Sequence, residues 1–149
     1  MATYTQIVYQ VIFSARNREA VFTNRDDRLR MYGYMAGLIR NKKCKVYEIN
    51  GVEDHLHLAF SLHPDIALSR LVKDLKLATS SWIKEENLFP AFENWKRGYS
   101  AFTYTAEAIQ NLKRYIERQE EHHRKEDSTA ELKRLLNEHQ VEVNLQYFE

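Results

Sequence analysis

Residues 51–62 read GVEDHLHLAFSL. Leu56, Leu58, Phe60 and Leu62 alternate with His55, His57, Ala59 and Ser61, which is the period-two pattern of a strand with one apolar face. That period places the two imidazoles side by side on the opposite face. Two neutral imidazoles so arranged can grip one metal ion. They are equally compatible with a chance pair among six histidines. The third histidine of a histidine-triad nucleotide hydrolase would fall at position 59, which is Ala59, so that chemistry is excluded.

Working outward, Asn50-Gly51 is a strong hairpin-turn signal. It joins strand 54–62 to a preceding strand at 44–49 (CKVYEI). Residues 4–14 (YTQIVYQVIFS), aromatic and β-branched, read as a first strand. A loop at 15–23 leads to Asn24, an N-cap for a helix over about 25–42 with Leu29, Tyr32, Met35, Ala36 and Ile39 at helical spacing. Residues 66–86 form a second helix carrying Leu68, Leu71, Leu75, Ala78 and Trp82 on one side. Residues 97–104 form a fourth strand. A third helix over 105–123 contains Ile109, Leu112 and Ile116. A short polar helix at 128–139 opens on Ser128 with Glu131 three residues on, the spacing of a capping box. The tail VEVNLQYFE reads as a short extended segment.

The order βαββαβα predicts an α+β fold of the ferredoxin-like, RRM-like split βαβ type, with an antiparallel sheet and its helices on one face. His55 and His57 would then look onto the open face. No repeat, low-complexity tract or linker divides the chain, so residues 1–149 are expected to be one domain, with 126–149 a helix and tail.

With 44% hydrophobic and 29% charged residues the chain is not of disordered composition. It has no apolar run of membrane-spanning length and no signal-peptide pattern at MATYTQIVYQVIF, and Cys44 is a lone cysteine. A cytoplasmic protein without membrane contact is expected. The net charge of +1 hides an asymmetry: residues 1–50 carry nine Lys/Arg against four Asp/Glu. A basic first third suits a polyanion or is a solvated surface. Arg16, Arg18, Arg25, Lys42, Lys43 and Lys45 are candidates to track a nucleic-acid backbone. Only four glycines occur, with no phosphate-cradling loop, so no nucleotide cofactor is expected.

A second constellation lies in IQNLKRYIERQEEHH, residues 109–123. Tyr115 and Gln119 are four apart and share a helix face. Tyr115 can simply pack on Leu112 and Ile116. Alternatively, a phenol helped to lose its proton is a nucleophile, and a glutamine carbonyl joined to two imidazoles makes a mixed N/O site suited to Mg²⁺ or Mn²⁺. Such an ion would polarise a phosphodiester for attack by the tyrosine. Cys44 as a third ligand would favour zinc; a small core residue is its other reading.

With both constellations in view, the chain resembles the single-tyrosine, HUH-motif transposases of small bacterial and archaeal insertion sequences, the IS200-like transposase family. The HUH motif is His55-Leu56-His57. VIFSARNRE (11–19), INGVEDHLHLAFSL (49–62), WKRGYSAFTYT (95–105) and YIERQEEHHRK (115–125) match four family blocks in order. Lys96, Ser100 and Tyr104 depart from the block W-Q-x-G-Y-G-A-F-S, and the tail fits poorly. The resemblance implies a homodimer that cleaves and rejoins single-stranded DNA at hairpin-bearing element ends. It implies Tyr115 as nucleophile, His55, His57 and Gln119 as ligands of Mg²⁺ or Mn²⁺, a 5′-phosphotyrosine intermediate and a mobile C-terminal catalytic helix. Such sites often pair one subunit's histidines with the other's tyrosine. It places the activity in prokaryotic cytoplasm, at the nucleoid. A non-catalytic hairpin-binding module on the same fold, or a domesticated relative that cuts chromosomal palindromes, is the alternative.

Overall fold

The computed structural model describes residues 2–143. Four antiparallel strands, β1 (Val8–Ser14), β2 (Lys45–Gly51), β3 (His55–Ser61) and β4 (Ser100–Tyr104), lie in the order β2-β3-β1-β4. The helices are α1 (Arg25–Asn41), α2 (Leu68–Glu85), α3 (Ile109–Glu117), α4 (Gln119–His122) and α5 (Ser128–Glu138). This is the split βαβ arrangement with added C-terminal helices. The expected extended tail falls mostly outside the described residues.

The leucine face of β3 behaves as its alternation predicts. Leu56, Leu58 and Phe60 are fully buried against Met31, Met35 and Ile39 of α1 and Leu71 and Leu75 of α2. Each such side chain contributes about 1.5–3 kcal/mol of burial. Asn24 caps α1 as read, its side chain accepting from the Asp27 amide at 3.0 Å. The buried stripe of α1 runs through Arg28, Met31, Tyr32, Met35 and Ile39, whereas Leu29 is 47% exposed. Arg28 replaces it inside because its guanidinium donates to the Phe22 carbonyl at 2.7 Å.

The histidine face departs from expectation. It is not open: α3, α4 and α5 roof it, so the sheet has helices on both sides. Leu112 and Ile116 of α3 pack on Val8 and Ala59, and Leu135 of α5 packs on Ile12 and Phe102. The apolar stripes of α3 and α5 needed a surface to cover, and the small Ala59 beside the two histidines leaves room for one.

The Asn50-Gly51 turn is also corrected. Both residues lie in β2, with Asn50 opposite His57 and Gly51 opposite Leu56, and the chain reverses through Val52, Glu53 and Asp54. Gly51 is needed for close approach: a Cβ there would sit 2.3 Å from the His55 carbonyl oxygen and 2.7 Å from the Leu56 Cα.

Candidate functional site: a histidine, carboxylate and tyrosine centre

Strand β3 carries His55 and His57 beneath the helical roof, where they are 2% and 0% exposed. Each ring is held through Nδ1. His55 Nδ1 lies 2.6 Å from Asp54 Oδ1, and His57 Nδ1 lies 2.6 Å from Gln10 Oε1 on the neighbouring β1. The orientation of Gln10 follows from its other end, where Nε2 donates to the Tyr104 hydroxyl at 2.7 Å. Asp54 and Gln10 offer oxygen acceptors, so both imidazoles donate from Nδ1 and turn Nε2 toward the space between sheet and roof. Carboxylate or amide partners that fix the tautomer in this way recur behind metal-bound histidines.

Helix α3 brings the second constellation to the same place. Backbone hydrogen bonds continue across Arg118, from its amide to the Arg114 carbonyl at 3.2 Å and from the His122 amide to the Arg118 carbonyl at 2.8 Å. Tyr115 and Gln119 therefore keep one face despite the flattening between α3 and α4. Asn50 fixes the end of α3 over β2, donating from Nδ2 to the carbonyls of Ile116 at 3.0 Å and Glu117 at 3.1 Å. The rings of His57 and Tyr115, from one chain, are 6.0 Å apart. Gln119 is fully buried, and its Oε1 has no hydrogen-bond partner.

Helix α5 adds what sequence reasoning missed. Glu131 does not complete a capping box. Asp127 is the N-cap, accepting from the Ala130 amide at 2.8 Å, and Ser128 donates its hydroxyl to Asp54 at 2.9 Å. Glu131, 1% exposed, points inward. Its Oε1 lies 3.3, 3.0 and 2.9 Å from Nε2 of His55, His57 and His123. Its Oε2 accepts from the Tyr115 hydroxyl and, at 3.2 Å, from Gln119 Nε2. Arg134, one turn further, donates to the Tyr115 oxygen at 2.9 Å and pairs with Glu126 at 3.1 Å. A signal for Glu131 did exist: it lies four residues before Leu135 and one before Leu132, placing a carboxylate on the apolar side of an amphipathic helix.

The electrostatics follow from burial opposed by contacts. Burial drives the His57 pKa down to about 4, against the pull of Glu131. Burial also opposes charge on His55, but hydrogen bonds to Asp54 and Glu131 outweigh it and raise the pKa. Glu131 would be raised by burial; hydrogen bonds from His123, His55 and His57 hold it far below the usual carboxylate range. The Tyr115 hydroxyl is raised by burial and by donating to Glu131, with Arg134 acting the other way.

His55, His57, Tyr115 and Gln119 are thus brought together within one chain. Cys44 is not: it lies buried in the core on the leucine face, accepting from the His63 amide. The candidate backbone-tracking cations divide. Arg16 and Arg18 follow the end of β1 that pairs with His55, and with Asn17, Asn94, Trp95, Lys96 and Arg97 they line a cavity of about 660 Å³. Arg25 pairs with Glu120 at 3.0 Å. Lys42, paired with Asp74 at 2.8 Å, Lys43 and Lys45 lie by the start of β2, at the opposite end of the sheet.

The donor set suits a divalent cation. His55, His57, His123 and Glu131 each offer a ligand atom, all within 4.8 Å of one another, and His122, Glu126 and Glu131 form a second such group. Gln119 touches the cluster through Nε2, 3.2 Å from Glu131 Oε2, and its amide carries a buried, unpartnered hard oxygen, Oε1.

The IS200-like transposase family matches residues 3–119, and the chain belongs to it. Its members are tyrosine transposases that cut and move DNA. Two solved structures share the fold. One, a presumed transposase of Deinococcus radiodurans, is 18% identical with a TM-score of 0.59, over 80% of this chain and 95% of that one. The other, a REP-associated tyrosine transposase bound to a REP hairpin, is 13% identical with a TM-score of 0.60, over 83% of this chain and 74% of that one. No curated protein matches. Among the described residues, no helix is long and apolar enough to cross a membrane.

Proposed function

We propose that the protein is a metal-dependent, single-tyrosine DNA strand transferase that cleaves and rejoins single-stranded DNA at hairpin-bearing ends. The observation that carries this is the meeting of Tyr115, His55, His57 and Gln119 of one chain in one buried cluster. His55 Nε2, His57 Nε2 and Gln119 Oε1 would hold Mg²⁺ or Mn²⁺. A bound ion would supply positive charge to the oxygens of the scissile phosphate.

The chain's own groups supply the rest. Gln10 and Asp54 keep the two imidazoles turned inward. Tyr115, half-buried and reachable from solvent, attacks phosphorus. Glu131 positions the hydroxyl, whose proton passes to water as the bond to phosphorus forms, and Arg134 offers a positive charge to the phenolate that develops. The phosphorus–3′-oxygen bond breaks, the 3′ oxygen takes a proton from water, and the 5′ phosphate stays on Tyr115. Conserving the phosphodiester on the tyrosine lets a 3′-hydroxyl reverse the step without a nucleotide cofactor. Arg16 and Arg18, with Lys96 and Arg97, form a basic wall at the histidine end of the sheet, beside Tyr99, 39% exposed and available to an unpaired base.

Hairpin DNA as partner is favoured by the REP hairpin on the structural neighbour. A homodimer would carry two such sites, each complete in one chain. We place the activity in the cytoplasm, at the nucleoid.

The test is a labelled hairpin oligonucleotide with a single-stranded flank, incubated with protein and Mn²⁺. Wild type should form a covalent adduct that survives denaturing electrophoresis and is abolished by chelator. The reading fails if Tyr115→Phe forms the adduct as well.

A further inference from the structure

We infer that Glu131 and His123 complete the metal's ligand set, so that helix α5, beyond the family-matched residues 3–119, is part of the metal centre. The inference rests on the function proposed above and extends its ligand set from three residues to five.

Three imidazole nitrogens converge on one oxygen. Glu131 Oε1 is 3.3 Å from His55 Nε2, 3.0 Å from His57 Nε2 and 2.9 Å from His123 Nε2. With Nδ1 donating to Asp54 and Gln10, His55 and His57 can reach Glu131 from Nε2 in two ways: as imidazolium rings that donate a proton, or as neutral rings that turn a lone pair inward, the form a metal ligand needs. In the neutral form three lone pairs face one carboxylate oxygen at hydrogen-bond distance, and the cluster then needs a positive charge at its centre, which a divalent cation supplies. Metal–ligand bonds of ~2.1 Å separate neighbouring ligand atoms by ~3.0–3.4 Å, close to the 2.9–3.3 Å between Oε1 and the three nitrogens, and all four atoms lie within 4.8 Å of one another.

Burial makes the alternative expensive. Glu131 is 1% exposed and, with Leu135, is one of the two buried side chains of α5. Fully buried carboxylates are paired or coordinate metals. The pairing found here uses the very nitrogens that the metal needs.

The second oxygen gives the arrangement its use. Oε2 accepts from the Tyr115 hydroxyl and from Gln119 Nε2. One carboxylate thus links ion and nucleophile: Oε1 toward the metal, Oε2 positioning the phenol beside it. Three imidazoles and a carboxylate also make a softer donor set than two imidazoles and an amide. They favour Mn²⁺ or another transition ion over Mg²⁺, which prefers oxygen ligands and keeps its waters.

The test is Mn²⁺ binding to the full chain without DNA, read by loss of the free-ion electron paramagnetic resonance signal. Variants are His57→Ala, Glu131→Gln, Glu131→Asp and His123→Ala, each checked for folding by circular dichroism. Wild type should bind one ion per chain, His57→Ala should not, and Glu131→Gln should weaken binding tenfold or more. His123→Ala should weaken it as well, and a tenfold excess of Mg²⁺ should not displace Mn²⁺ from wild type. If Glu131→Gln does not fold, Glu131→Asp and His123→Ala carry the comparison. Should Glu131→Gln and His123→Ala bind as tightly as wild type while His57→Ala fails, the carboxylate merely fills the site; the inference falls and the proposed function stands. If wild type binds no ion, the proposed function falls with it.

Discussion

Gly51 and Gly33 give the sharpest contrast that the fold offers, because one substitution should act with opposite sign at the two. An alanine Cβ at 51 would lie 2.3 Å from the His55 carbonyl oxygen, 2.7 Å from the Leu56 Cα and 3.0 Å from the Leu56 Cβ. Ordinary contact needs at least a further half ångström to an ångström. Two of the three obstacles are backbone of β3, which cannot rotate away, and β3 is held on both sides by β1 and β2. Overpacking of this kind costs ~1–3 kcal/mol, and a backbone obstacle places Gly51→Ala near the upper end, ~3 kcal/mol. With a urea m-value of ~2 kcal/mol/M, the unfolding midpoint should fall by ~1.5 M. At Gly33, exposed in the middle of α1, a Cβ meets nothing within 4 Å. There alanine should stabilise by ~0.5–1 kcal/mol, since it fits the helix and restricts the unfolded chain. Both are read from urea unfolding followed by circular dichroism at 222 nm. Because the clash falls on His55, Gly51→Ala should also lose Mn²⁺ affinity while Gly33→Ala keeps it. Equal midpoints for wild type and Gly51→Ala would refute the packing argument.

Three further outcomes are expected. His57, buried and neutral with a pKa lowered to about 4, adds stability that is full above pH 6.5 and is lost as pH falls toward 4. At ~1.4 kcal/mol per pH unit this amounts to ~3 kcal/mol, so wild type without metal should lose that much more than His57→Asn between pH 7 and pH 4, by urea unfolding at each pH. His55 works in the opposite sense, with stability present below pH 6.5 and lost as pH rises through its raised pKa. Asn50→Ala removes both hydrogen bonds to the end of α3; it should cost ~1–2 kcal/mol and slow adduct formation without abolishing Mn²⁺ binding. Mixing His57→Ala with Tyr115→Phe protein should restore no cleavage, because both groups serve the same chain's site; rescue after demonstrated subunit exchange would argue for composite sites.

The periodicities that sequence carries strongly are those whose elements it placed well. β3 was legible because four apolar residues alternate without interruption, and α1 because Asn24 offers a side-chain acceptor to a free helix amide. What each face would meet was not legible. The His55–His57 face depends on where the later helices dock, and docking is a long-range event that local period does not encode. Asn50-Gly51 imitates a hairpin turn because both residue types tolerate turn geometry. Here Asn50 is chosen for a tertiary hydrogen bond and Gly51 for a backbone approach. His55, His57, Tyr115 and Gln119 lie in two separate stretches of sequence, and the chemistry of a mixed N/O metal site, with the family resemblance, already links them; the structure adds their proximity within one chain. Glu131 was misread because a capping box and a buried ligand share the same local spacing. Only the depth of α5 against the sheet, set by Leu135 on Ile12 and Phe102, turns the carboxylate inward. Arg134 gave no local sign at all, since its partner Tyr115 is 19 residues away.

The measurement that bears most directly on the central claim is anomalous diffraction from Mn²⁺-soaked crystals of the full chain. The expected result is one manganese peak per chain, within coordination distance of His55 Nε2, His57 Nε2 and Gln119 Oε1 and adjacent to the Tyr115 hydroxyl. A protein that forms the covalent DNA adduct while its crystals show no manganese between those residues would contradict the account.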